Sequence, residues 1–142
     1  KELIIKLHPD PAELDITAFV KKIDPKIQVI KAGNISDLIR SCDVIVTIDI
    51  STVTLEAQIF EKPVISVSVK NYNIGDDNCS FFKSKSCIRT ELQNFETNFN
   101  RLLQDQEFKR ETINRGKKYV NNYLSNQGCA SRKLIEFSIK QT

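Results

Sequence analysis

Val44 to Ile48 is a run of apolar and β-branched residues. Such a run suits a strand covered on both faces in a parallel sheet. Three further β-rich runs, Leu3 to Leu7, Ile27 to Ile30 and Val64 to Val69, accompany it, with helix-like segments between them. Strands that alternate with helices connect as βαβ units, which calls for a parallel sheet and an α/β fold. Cys87-Ile88 is a candidate fifth strand.

The connecting segments carry their own signals. His8-Pro9 ends the first run, because proline donates no ladder hydrogen bond. Pro11 can open a helix over Ala12 to Ile23, with Leu14, Phe19 and Ile23 among its apolar residues, and Asp24-Pro25 ends it. Ala32-Gly33-Asn34 reads as a turn, and Ser36 as the cap of a short helix over Asp37 to Ser41 with Leu38, Ile39 and Cys42 inward. Ser51 to Phe60 is the next helix, and Glu61-Lys62-Pro63 turns the chain.

The second half is helical. Leu92, Phe95, Phe99, Leu102 and Leu103 share one face of an amphipathic helix. Ile113, Val120, Tyr123 and Leu124 make a weaker stripe, Ser125 to Gly128 reads as a helix stop, and Ala130, Leu134 and Phe137 mark a last helix. The polar stretch Lys70 to Lys85 follows a strand, which places it at the carboxyl edge of the sheet, where open α/β folds bind ligands. The 142 residues suit a single domain. The chain has no Met and opens inside the apolar run Leu3-Ile4-Ile5, so the expectation is a piece of a longer protein.

Composition excludes several classes. Net charge is +3, from 21 basic and 18 acidic residues in mixed order. The basic cluster Lys109, Arg110, Arg115, Lys117 and Lys118 reads as a solvated helix face. No aromatic interleaving marks it as a stacking platform, so no nucleic-acid partner is expected. The four cysteines have no zinc-site spacing and His8 is the single histidine, so no metal is expected. With no signal peptide and no membrane-length apolar run, reduced thiols and a cytoplasmic location are the default. The motifs Asn34-Ile35-Ser36 and Asn78-Cys79-Ser80 are therefore not read as glycosylation sites.

The chemistry is concentrated in Asp43 to Pro63. A buried strand runs into Asp49 and Ile50, and Ser51 then caps a helix. The first turn of a helix presents unpaired N–H groups and a partial positive charge, which suits a phosphate or pyrophosphate. Hydroxyls of Ser51, Thr52 and Thr54 can add donors. Glu56, one turn beyond Thr52, can accept two hydrogen bonds from a ribose. The alternative is an ordinary capped helix with a solvent-facing glutamate.

Asp37-Leu38-Ile39, Cys42 to Thr47, Ser51 to Ala57 and Lys62 to Ile65 together resemble the C-terminal domain of GT-B enzymes. Relatives there include lipid A disaccharide synthase, the peptidoglycan N-acetylglucosaminyltransferase, the UDP-N-acetylglucosamine 2-epimerases and the CDP-glycerol glycerophosphotransferases. Lys6-Leu7-His8-Pro9 resembles the "K-x-H-P" of several of these, and Asn126 to Arg132 their "dGkAseR" segment. The resemblance implies a Rossmann-like three-layer α/β/α domain with a parallel sheet of four to six strands. It implies a donor-binding domain of a transferase that uses a nucleotide-activated sugar in cell-envelope or polysaccharide synthesis. By the same resemblance, Ser51 and Thr52 meet the diphosphate, Glu56 the ribose, and Gly33, Asn34 and Ile35 the base, while His8 approaches the diphosphate. Asp49 and Thr54 join these as nucleotide-binding candidates.

The donor nucleotide-diphosphate sugar is the implied ligand, with no separate cofactor. The implied partner is an N-terminal acceptor domain of the same chain, which would hold the catalytic base and could place the whole protein at the inner face of the membrane. Two departures stand out. Ile50 to Val53 holds no glycine, which many sugar-transferring relatives carry there. Glu56 stands where the glycerophosphotransferases usually carry Asp. For His8 the alternative is a strand-end histidine satisfied by a local carbonyl. Two other readings stay open: a receiver-like module, although Asp49 lacks the acidic partners a receiver needs, and a degenerate domain kept for assembly.

Overall fold

The structure is a computed structural model that describes residues 2–8, 10, 12, 14–49, 51–69, 80–125 and 128–139. The first ten residues of the polar stretch from Lys70 lie outside the described residues. So do Pro9, Pro11 and Ile50, and Asn126 and Gln127 of the expected helix stop. The chain divides into two compact units, Lys1–Ile35 and Ser36–Thr142.

The first unit is one βαβ turn. Strand β1 (Ile4–Lys6) pairs in parallel with β2 (Gln28–Ile30), Ile5 opposite Val29, and helix α1 (Thr17–Ile23) connects them. The helix begins five residues later than the sequence pattern suggests. Two aspartates explain this. Asp10 accepts the N–H of Ala12, and Asp15 accepts both the N–H and the hydroxyl of Thr17. Such local bonds hold the backbone in turns that compete with the helix. Leu14 therefore lies before α1, and within it only Val20 is buried, while Phe19 and Ile23 are exposed.

Helix α2 (Ile35–Ser41) starts on the last residue of the first unit, and strand β3 (Ile45–Ile48) follows in the second. Ser36 lies inside the first turn of α2 and is not its cap. Helix α3 (Thr52–Ile59), strand β4 (Val64–Ser68), the single turn α4 (Ser80–Lys83) and strand β5 (Ile88–Glu91) follow. Cys87-Ile88 does lead into a fifth strand. The sheet order is β3-β4-β5, all parallel, with Ile45 opposite Val64 and Ile65 opposite Ile88.

The expectation of one sheet of four to six strands is corrected. The strands form a two-stranded and a three-stranded parallel sheet. The βαβ alternation dictated strand direction, but apolar content does not dictate which strands share a ladder. The reading of β3 as the strand covered on both faces is corrected too. Val46 and Ile48 are 46% and 64% exposed, and β3 is an edge of its sheet. The central strand is β4, where Val64, Ile65, Ser66 and Val67 are all buried.

Helices α5 (Phe95–Gln104), α6 (Gln106–Tyr123) and α7 (Ala130–Ile139) complete the unit. Ile65 and Val67 of β4 pack with Leu102, ringed by Val44, Ile88, Phe95, Phe99 and Phe108. The expected α5 stripe thus meets the sheet, except that Leu92 sits in a 3-10 turn and is 75% exposed. On α6 the buried residues are Thr112, Gly116, Tyr119 and Val120, so the expected stripe is rotated and Tyr123 stays exposed. The rotation follows from packing: α6 lies on α3, and the bare Cα of Gly116 fits against Gln58. No residue of α7 is buried.

Candidate functional site

The β3–α3 turn is built from local chemistry. Thr47, buried on β3, has its hydroxyl 3.3 Å from that of Thr54, which ties the strand to the helix. Asp49 closes the strand in a left-handed conformation with φ of 48°, a region where Asp is among the few tolerated non-glycine residues. Its N–H donates to the carbonyl of Val67 at 2.9 Å, and its own carbonyl accepts from the Ser66 hydroxyl at 2.7 Å. These two bonds to β4 hold the left-handed turn. Nothing in the sequence around Ser66 signalled that role, because the contact joins two strands.

Ser51 has extended backbone angles, and its hydroxyl accepts the N–H of Val53 at 3.3 Å, so it is the N-cap of α3 as expected. The cap occupies one of the orphan donors of the first turn. Thr52 is exposed beside it. Glu56 is half-buried one turn on, and its carboxylate has no hydrogen-bond or ionic partner among the described residues. Asp49 is 5% exposed, and its Oδ2 has no partner among the described residues.

The nominated residues thus separate by position. Asp49, Ser51, Thr52 and Glu56 belong to a single strand–turn–helix element. Thr54 belongs to the same helix but is 1% exposed, facing Thr47, so its hydroxyl is not offered at the mouth of α3. His8, Gly33, Asn34 and Ile35 belong to the first unit. His8 is exposed, and its Nδ1 accepts the N–H of Asp10 at 3.2 Å, a local bond of the kind expected for a strand-end histidine, though with an amide in place of a carbonyl. Gly33 takes φ of 130°, which only glycine adopts without strain, and marks the turn after β2. Ile35 begins α2.

Cys42, Cys87 and Cys129 form no disulfide with one another. Among the described residues no group of three His, Cys, Asp or Glu side chains is placed to hold a metal ion, and no helix is long and apolar enough to cross a membrane. Set against protein families, curated proteins and solved structures, the chain finds no match in any of the three comparisons.

Proposed function

We propose that this chain is the donor-binding domain of a transferase that uses a nucleotide-activated sugar, with the nucleotide seated at the mouth of α3. The reading includes a GT-B arrangement, with a Rossmann-like domain working against an acceptor domain. The observation that carries it is the pairing of a Ser51-capped helix start with the half-buried, unpartnered carboxylate of Glu56 one turn away. A helix start favours an anionic diphosphate through its N–H groups and dipole. A carboxylate without an internal partner suits the paired hydroxyls of a ribose.

In this reading the domain stabilises the departing nucleotide electrostatically, and the group that activates the acceptor lies in the partner domain. Isothermal calorimetry with UDP, CDP and GDP tests it. Weak binding of at least one of them, lost in Glu56→Ala, is the expected result. Absence of heat with all three at millimolar ligand would sink the reading.

A further inference from the structure

A hollow of about 480 Å³ opens in the second unit between α6 and the turn after α4, lined by Ser84, Arg115, Lys118, Tyr119, Asn122 and Tyr123. Its volume falls in the range of small-molecule sites. Five of the six residues stand at i, i+3, i+4, i+7 and i+8 on α6, one face of the helix. The basic residues of α6 were read from sequence as a solvated face without aromatics. Lys118 is exposed as that reading expects, while Arg115 is half-buried, and both share this face with the stacked rings of Tyr119 and Tyr123, centroids 4.4 Å apart.

The charges here are not neutralised by the described residues. Among the described residues Lys118 has no acidic partner, and the amide of Asn122 has no hydrogen bond. Arg115 makes one long bond, 3.4 Å from Nη2 to the Thr112 hydroxyl. Its Nε is buried and has no acceptor among the described residues. A guanidinium held with an orphaned N–H is costly. Arg115 and Lys118 are donors only. The neighbouring glutamate Glu61 is engaged with Lys117, further round the helix. Tyr119 is buried and stacks on Tyr123, a residue that is 57% exposed at the rim.

We infer that this hollow is a second ligand site, for a phosphate monoester carried on a ring, with the phosphate on Arg115 and Lys118 and the ring against Tyr123. Phosphate suits the guanidinium fork and the ammonium together. A sugar phosphate and a nucleoside monophosphate share that chemistry. The site is independent of the mouth of α3, so either proposal can fail alone.

The test follows the Arg115 side-chain Nε–H by nitrogen-15 NMR while the chain is titrated with inorganic phosphate, glucose 6-phosphate or uridine monophosphate. A saturable shift with one of the monoesters, several-fold tighter than with inorganic phosphate, is expected, and the better ester identifies the source. Lys118→Gln should weaken it about tenfold, and Tyr123→Ala should reduce the ester to the level of inorganic phosphate. Both positions are exposed, so these variants keep the fold, which the remaining backbone signals verify. Ser51→Ala should leave the shift unchanged. No saturable shift with either ester, full binding in Lys118→Gln, or an ester no tighter than inorganic phosphate overturns the inference.

Discussion

Gly116 of α6 lies so close to Gln58 of α3 that a Cβ at position 116 would stand 2.9 Å from the Gln58 Cγ. Gln58 cannot swing away freely, because it is buried and its Nε2 donates to the Ser86 carbonyl at 3.0 Å. The helix pair therefore depends on a residue that lowers helix propensity. Gly116→Ala gains about 1 kcal/mol of propensity but overpacks the contact at about 1–3 kcal/mol. The side chain of Gln58 must also shift off Ser86. A net loss of about 1 kcal/mol is expected in urea unfolding, and a variant as stable as the parent would show that α3 and α6 do not meet this way.

Asp49 combines a left-handed backbone with a buried carboxylate oxygen that has no partner among the described residues. Asn tolerates the same backbone region and carries no charge to desolvate. Asp49→Asn is expected to raise unfolding stability by about 1 kcal/mol. Asp49→Ala, forced into the same φ, should lower it. Equal stability of the Asn and Ala variants would refute the strained-turn account.

In the first unit Asp15 is paired with Lys31. Lys31 chiefly, then the hydroxyl and N–H of Thr17, hold its carboxyl well below the usual carboxylate range. A carboxyl depressed on folding contributes stability above its unfolded value of 3.8, and that contribution fades as pH falls below it. The group is exposed, so salt screens the pair. Acid titration followed by the NMR signals of residues 14–31 should show loosening below about pH 4. Asp15→Asn should show it already at neutral pH. An unchanged acid response in that variant would remove Asp15 from the account.

Ser51 and Glu56 separate fold from ligand. Ser51→Ala removes the cap of α3 and should cost about 1 kcal/mol in unfolding stability. Glu56→Gln keeps size and removes only a charge that no described side chain uses, so stability should stay within about 0.5 kcal/mol. Under the proposed function the same Gln variant weakens nucleotide binding about tenfold in calorimetry. Unaltered affinity would detach Glu56 from any ligand role.

What the sequence determined is local. β-Branched runs marked four strand positions, and the helices between strands their parallel pairing within each sheet, because a helix between two strands returns the chain to the same edge. Ser51 declared itself as a cap because its hydroxyl answers an N–H two residues away, and Gly33 marked a turn because its backbone takes a positive φ that side chains rarely adopt. Tertiary structure decided the rest. Only the folded chain makes β4 the central strand, splits the strands into two sheets, turns Thr54 into the core and leaves the Arg115 Nε without an acceptor among the described residues. The physical reason is that burial and hydrogen-bond satisfaction arise from contacts between elements distant in the chain. Composition and spacing measure what a segment prefers, not which neighbour it receives.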